Sequence, residues 1–536
     1  MPIAMKNRTF LFILFTFLTL SIYSSCQTNP KASSGTSTPR YTETYRPQFH
    51  FSPDSMWMND PNGMVFYEGE YHLFYQHHPY STVWGPMHWG HAVSTDLVHW
   101  EHLPVALYPD SLGMIFSGSA VIDWKNSSGL GSSRRPPMVA IFTQHNQALA
   151  EQGSDRFQYQ SIAYSLDKGR SWTRYEGNPV LNNPGIRDFR DPKVFWMEET
   201  RQWIMVLAAQ DRVMFYASPD LIHWTLESEF GEDAGAHGGV WECPDLFPLE
   251  AGGEQLWVLL VSINPGGPNG GSATQYFVGQ FDGHRFRNGN PGDDPRWVDW
   301  GKDNYAGVTW SDIPASDGRR IFLGWMSNWQ YANQVPTKRW RSAMTLPREL
   351  SLVQEASGYR LRSVPVAEVH TLRSEHIQLE PPLQERYDIG PDPGDHQALY
   401  EIDLTFTYEP VESESADSAV EFGIYLESKM HEILVMAFNT YSKQVFISRM
   451  PNSGQTGFSD DFAGMHVAPY HISTDGEIRF HAFLDLASVE LFVDDGTLVM
   501  TEICFPESGF QIVSMYRNHV SVNLKEGTIY RLSGIW

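Results

Sequence analysis

This sequence predicts an all-β chain, a five-bladed β-propeller followed by a C-terminal antiparallel β-sandwich. Three observations carry the prediction. First, from Tyr45 to about Leu350 the chain is a succession of short apolar runs such as Gly63-Met64-Val65-Phe66-Tyr67, Tyr71-His72-Leu73-Phe74-Tyr75 and Ile204-Met205-Val206-Leu207, punctuated by Gly, Asp and Asn. No long amphipathic helical period interrupts them. Second, a motif of Ser, an Asp turn and Trp recurs as Ser94 to Trp100, Ser165 to Trp172 and Ser218 to Trp224, with Ser-to-Ser spacings of 71 and 53 residues. Radially repeated four-stranded sheets explain such a period, because each blade buries its faces against its neighbours; about 300 residues at roughly 60 per blade give five. A two-sheet sandwich is the alternative for this region. Third, the composition shifts after Arg348, and from about Ala398 the runs become alternating.

Taken in order, residues 1–26 read as a signal peptide. Lys6 and Arg8 precede an apolar stretch from Thr9 to Ile22, too short and wrongly flanked for a spanning helix. Cys26 stands where a bacterial lipoprotein carries its acylated cysteine, although Tyr23-Ser24-Ser25 resembles a lipobox only loosely. The expectation is an exported chain, lipid-anchored in the bacterial envelope at the outer membrane or periplasmic face, with periplasmic or secreted location as the alternative. Residues 27–44, rich in Ser, Thr, Pro and Gly, read as a flexible tether. The propeller takes 45–350. Residues 351–370 read as a connector, with Leu350 to Gly358 as a short helix. The sandwich takes 371–536. Its best strands are Ala419 to Leu426 and Ser488 to Val493, with Asp494-Asp495-Gly496 as a hairpin turn and Glu412 to Asp417 as an acidic loop.

The formal net charge of -25 argues against a nucleic-acid backbone as partner. An aromatic content of 14% suits both β structure and a site that stacks on sugar faces. Of three cysteines, Cys26, Cys243 and Cys504, two remain if Cys26 is acylated, and nothing in their spacing suggests a disulfide framework. No metal-binding motif occurs, and the cluster His72, His77, His78 reads as local packing. No cofactor and no catalytic metal are expected, and the chain is expected to be a monomer or weak dimer.

Three carboxylates stand in unusual settings. Asp60 lies in Trp57-Met58-Asn59-Asp60-Pro61-Asn62-Gly63, which reads as a tight polar turn. Asp191 lies in Arg187-Asp188-Phe189-Arg190-Asp191-Pro192, where alternating charges suggest ion pairing that orients one acid. The alternative is a solvated loop. Glu242 sits between Trp241 and Cys243, surroundings that suit a general acid. The alternative is an inward salt bridge at a strand end. All three map near blade starts, and in a propeller the innermost strands converge on one cavity. Two carboxylates around an acetal oxygen are the minimum for glycoside hydrolysis, and a third can hold hydroxyls.

Further stretches make a resemblance specific: Tyr75-Gln76, Trp84-Gly85-Pro86-Met87-His88-Trp89-Gly90, Phe116-Ser117-Gly118-Ser119, Arg190-Asp191-Pro192, Trp241-Glu242-Cys243-Pro244-Asp245, Gly301-Lys302-Asp303-Asn304-Tyr305-Ala306 and Gly324-Trp325-Met326-Ser327-Asn328-Trp329. The chain resembles glycoside hydrolase family 32, the invertase, inulinase and levanase group, over nearly all of its length after the leader. The resemblance implies a retaining enzyme with Asp60 as nucleophile, Glu242 as general acid/base and Asp191 as transition-state stabiliser. It implies a fructosyl subsite lined by Asn59, Gln76, Trp84, Ser117, Arg190, Asp303 and Trp329. Arg190 can orient Asp191 or Glu242 through its forked donors. Cys243 reads as tuning Glu242, with a nucleophilic thiol as the alternative. Departures from the family pattern at His77-His78 and Pro86 bear on fine specificity. The expected activity is exo-acting release of β-D-fructosyl units from levan or inulin and from sucrose. Fructosyl transfer, endo cutting and non-catalytic sugar binding are the alternatives.

Overall fold

The computed structural model describes residues 41–290, 294–356, 358–380, 385–390, 399–409, 420–471 and 476–536. The leader with Cys26, the tether up to residue 40, the acidic loop and Ala419 at the start of one expected strand lie outside the described residues. Five sheets follow one another through the first part of the chain. Their innermost strands are Met56–Tyr67, Met114–Ile122, Phe189–Met197, Val240–Ala251 and Tyr305–Thr309. Each is followed outward by antiparallel partners, and large apolar side chains fill the spaces between blades. Val121, Ile141 and Ile162 of blade 2, for example, share a core cluster with Val194, Met205 and Leu207 of blade 3.

The repeated Ser–Asp–Trp motif closes the turn between the third and fourth strands of blades 1 to 3. In the first copy the Asp96 carboxylate accepts the backbone N–H of Val98 and His99, and Asp220 does the same for Ile222 and His223. The indole N–H groups of Trp172 and Trp224 then donate to the carbonyls of Gly169 and Leu221. The motif is thus a capped turn that anchors a Trp.

The ring is closed by connecting segments of blade 5 itself, which lie between its strands in the chain. Met56 N donates to Arg339 O at 2.8 Å, and Met56-Trp57 pairs in parallel with Trp340-Arg341. Further along the same inner strand, Phe66 N donates to Ser311 O at 2.9 Å and Ser311 N to Met64 O at 3.0 Å. The inner edge of blade 1 therefore has its backbone groups satisfied rather than exposed.

The expected helix over Leu350 to Gly358 is not formed. Arg348–Glu355 and Gly358–Pro365 are an antiparallel hairpin, the outer strands of blade 5. Leu350 and Leu361 are buried against Phe247 and Phe322, and the helical reading overlooked that Leu350 and Leu352 alternate at a strand period. A 3-10 turn, Ala367–Leu372, leads into the second part. There, two six-stranded antiparallel sheets pack face to face. Strands such as Tyr400–Tyr408 bury alternate residues, and Phe406, Phe422, Phe438 and Phe480 meet in the core between them.

The junction between propeller and sandwich is polar. Arg348, fully buried, donates to Glu490 and, at 2.9 Å, to Asp299; His50 bridges Asp485 at 2.8 Å and Glu490 at 2.7 Å. The propeller segment 299–304 lies along the sandwich strand Leu498–Ile503. Trp300 N donates to Val499 O at 2.7 Å and Asp303 N to Thr501 O at 3.1 Å. A Cβ on Gly301 would stand 2.2 Å from both Thr501 N and Thr501 O, so only glycine lets the two backbones approach this closely.

Candidate active site

The five inner strands share an irregularity at one level. In blade 1, Met58 pairs with His77 and Pro61 with Tyr75, so Asn59 and Asp60 together oppose Gln76. The same two-against-one step places Phe116 and Ser117 opposite Thr143, and Asp191 and Pro192 opposite Leu207. It also places Cys243 and Pro244 opposite Val261, and Ala306 and Gly307 opposite Gly324. Each step is a β-bulge, which breaks the alternation of a strand and re-aims its side chains. Neighbours such as Asn59 and Asp60, or Arg190 and Asp191, therefore reach the same cavity instead of opposite faces of a blade. Three bulges hold a non-glycine residue in the left-handed region: Asp191 at φ 64°, Cys243 at 45° and Ala306 at 53°. Such conformations cost about 1–3 kcal/mol each and persist where surrounding structure enforces them. Pro192 and Pro244 fit their bulges because a bulged residue has no ladder N–H to lose, and Pro61 resumes the ladder directly after its bulge. The reading of Trp57 to Gly63 as a turn is thereby corrected: the whole heptad lies within one strand, Met56–Tyr67, bent by its bulge.

The cavity at the N-terminal ends of these strands has a volume of about 430 Å3. Asp60, Asp191 and Glu242 line it, with Asn59, Gln76, Trp84, Ser117, Arg190 and Trp329. Asp60 is fixed from both oxygens: Asn59 Nδ2 donates to Oδ1 at 2.9 Å and Ser117 Oγ to Oδ2 at 2.8 Å. Asn59 is itself oriented by the indole N–H of Trp57, at 2.7 Å. Burial, then the charge of Glu242, holds the Asp60 carboxyl above the usual range, against the bonds from Asn59 and Ser117. Asp191 accepts the backbone N–H of Cys243 at 3.0 Å, and its own N–H donates to Thr143 Oγ1 at 2.9 Å. Its pKa is also raised, by burial first and by the charges of Glu242 and Asp60, while Arg190 opposes.

Glu242 is held by two groups. Arg190 Nε donates to its Oε1 at 3.0 Å, and Tyr305 donates its hydroxyl to Oε2. Arg190 is in turn oriented by Asp188, at 2.7 Å from Nη1. Of the two acids that Arg190 was expected to orient, the hydrogen bond goes to Glu242, across 52 residues of sequence. Cys243 Sγ lies 3.6 Å from both Asp60 Oδ2 and Asp191 Oδ2. Burial and the surrounding carboxylates push its thiol well above the usual range, which favours a neutral, weakly donating thiol over a thiolate. The thiol bridges the other two acids rather than touching Glu242. Cys243 and Cys504 are both free and buried. Gln76 is buried, and its Nε2 has no partner within the protein, which leaves a donor for a ligand hydroxyl.

Asp303 is the exception among the residues expected here. It is fully buried away from the cavity, where it accepts from Tyr331 Oη at 2.6 Å, Arg449 Nη1 at 2.7 Å and Ile503 N at 3.0 Å. Its motif serves the junction with the sandwich, and the residue of that motif that reaches the acids is Tyr305. Sequence reading also passed over Phe116, His145 and Gln158 in the cavity wall. Only the Phe-Ser-Gly-Ser motif gave any signal for one of them. The unusual histidines are structural: His77 Nδ1 meets Trp57 O at 2.7 Å and His78 Nδ1 meets Val83 O at 3.0 Å. Among the described residues no group of His, Cys, Asp and Glu is arranged to hold a metal ion.

Comparison with known proteins gives a consistent picture. The family model described as glycosyl hydrolases family 32 N-terminal domain matches residues 50–365, and that of the family 32 C terminal matches 366–531. A levanase of Bacillus subtilis (strain 168) is 46% identical over 544 residues, which cover 99% of this chain and 76% of that protein. The crystal structure of an exo-inulinase from Aspergillus awamori superposes with a TM-score of 0.82 at 35% identity, over 92% of this chain and 100% of that one. A fructofuranosidase from Schwanniomyces occidentalis complexed with fructose gives a TM-score of 0.82 at 32% identity, over 92% and 100%.

Proposed function

Because the chain belongs to glycosyl hydrolase family 32, we propose that its three bulge-borne acids release terminal β-D-fructosyl units from fructans and sucrose by a double displacement. The observation that carries the reading is the convergence of Asp60, Asp191 and Glu242, each held by separate partners, in one cavity on the propeller axis. Asp60, oriented through both oxygens, attacks the anomeric carbon. Glu242, aimed by Arg190 and Tyr305, protonates the leaving oxygen. Both oxygens of Asp191 accept sugar hydroxyls, whose acidity rises as charge develops on the ring. In the covalent intermediate Asp60 is neutral, so the like-charge repulsion between the two carboxyls is relieved. Glu242 then takes a proton from water, which attacks the same face from which the leaving group departed and retains the anomeric configuration. Trp84 and Trp329 offer apolar faces to the sugar, and Asn59, Gln76 and Ser117 hold its hydroxyls.

The enzyme is an exo-β-D-fructosidase in type, and neither the site nor these relatives favour transfer or endo cutting. The leader and Cys26 support export with lipid anchoring, which mass analysis of the mature N-terminus tests: an unmodified terminus beyond Cys26 excludes the anchor. For the chemistry, Glu242→Gln is expected to lower fructose release from inulin, levan and sucrose by about 10²–10⁴-fold while sugar binding survives. Unchanged turnover removes Glu242 from the acid/base role.

A further inference from the structure

The inner strands have a second end. The acids occupy their N-terminal ends, and at the C-terminal ends of blades 2 to 5 lies another cavity, of about 390 Å3. That is within the range of small-ligand sites, about 300–1,000 Å3. Ile122, Trp196, Phe247 and Asp312 line it, and Trp124 stands on its wall. Of the 18 tryptophans, all among the described residues, only Trp84 and Trp124 are exposed, at 39% and 56%. Trp84 stands at the acid cavity, and Trp124 is its counterpart at the opposite mouth.

Trp124 is exposed but not free to move. Its indole N–H donates to Asp312 Oδ1 at 2.8 Å, and Asp312 Oδ2 accepts the N–H of Ile122 at 3.0 Å. Tyr67 packs on the ring at 5.6 Å between centroids. Asp312 itself is held at φ 60°, an uncommon conformation for a non-glycine residue. An exposed indole already fixed by hydrogen bonding loses little freedom when a ligand stacks on it. Beside it the charges are mixed. Arg320 stands over Phe247 at 5.1 Å with its Nε unpartnered, whereas Asp312 and Glu198 are acidic. An anion would meet the carboxylates and a cation would meet Arg320 and Lys193. A neutral polyol with one apolar face satisfies all of them, through hydroxyls that donate to carboxylates and accept from Arg320.

We propose that this cavity is a second carbohydrate-binding site, which holds a non-reacting stretch of fructan by stacking on Trp124. The proposal rests on the fructosidase reading above. A second foothold raises the local concentration of chain ends without touching the chemistry, so its effect is confined to polymers long enough to engage both mouths. Trp124→Ala is expected to raise KM for long inulin or levan at least threefold and to leave kcat, and both constants for sucrose, unchanged. Trp124→Phe, which keeps a stacking face, recovers part of the loss. In the Glu242→Gln background, migration through a gel containing levan is expected to be retarded, and Trp124→Ala to relieve part of that retardation. Equal polymer KM and equal retardation in the Trp124→Ala pair overturn the second site. So does an equal loss on sucrose and polymer, which marks a purely structural tryptophan. Both failures leave fructose release intact, whereas absence of fructose release by the unaltered enzyme overturns the fructosidase reading itself.

Discussion

Asp303→Asn separates a sugar contact from a junction contact. Asp303 Oδ2 accepts from Arg449 Nη1 and Ile503 N, and Oδ1 from Tyr331 Oη. The amide keeps the shape of the carboxylate and one acceptor oxygen. Placed at Oδ2, that oxygen retains Arg449 and Ile503, but the new NH2 then faces Tyr331 Oη, which already accepts from Arg449 Nη2 at 3.1 Å. The negative charge is gone either way, and Arg449, fully buried, is left with Glu502 at 3.0 Å as its one remaining carboxylate. A hydrogen bond to a charged group contributes about 1.5–3 kcal/mol, and removing one partner of a buried pair outright costs about 3–5. With a second carboxylate still present, the lower range applies, about 1.5–3 kcal/mol. At about 2 °C per kcal/mol for a long chain, the melting temperature falls by about 3–6 °C. Differential scanning calorimetry reads that shift, and initial rates on sucrose give kcat and KM, both expected within about twofold of the unaltered enzyme. A tenfold rise in KM at an unchanged melting temperature would refute the reasoning and return Asp303 to the fructosyl subsite.

Two further outcomes follow from the placement of buried charges. Asp191 has a pKa raised in the folded state, so the native chain binds more protons than the unfolded one between the ordinary carboxylate range and that raised value. Stability therefore declines as pH rises through this window, and Asp191→Asn, which cannot ionise, is expected to melt higher than the unaltered enzyme at neutral pH while losing turnover; an equal or lower melting temperature there contradicts the burial argument. At the junction, burial pulls the His50 pKa down, but the hydrogen bonds to Asp485 and Glu490 outweigh it and raise it to about 9. Its contribution is fully present below the ordinary histidine value and is lost as pH rises through about 9, so His50→Ala should cost about 3–5 kcal/mol at pH 6 and clearly less at pH 10 in denaturant unfolding. A cost independent of pH would mean that His50 acts by packing alone.

Local properties of the chain were legible without coordinates. The alternating apolar runs, the Ser–Asp–Trp turns and the shift after Arg348 gave a propeller followed by a sandwich, because strand period and turn chemistry are written within a few residues. The three acids stood out in short stretches, Asp60 by polar crowding, Asp191 by alternating charges and Glu242 by its place between Trp241 and Cys243, and the family resemblance gave them their roles. The bulges could have been read too. Proline inside a strand at Asp60-Pro61, Asp191-Pro192 and Cys243-Pro244 marks a place where the ladder lacks an N–H, but the first of these also looks like a turn.

What only the tertiary structure decided involves partners far apart in sequence. Arg190 meets Glu242 rather than Asp191, Tyr305 reaches across 63 residues to the same acid, and Asp303, two residues before it, turns away to Arg449 across 146. The bulge at Ala306 and Gly307 re-aims the chain there, and residues 299–304 run along the sandwich strand, so one motif serves the cavity and the junction at once. The sequence by itself determined the strand periods and turns, and it singled out candidate residues for chemistry. Which of them share a cavity depended on ring closure, on five aligned bulges and on the docking of the sandwich, because burial and distance are properties of the assembled sheets and not of any one strand.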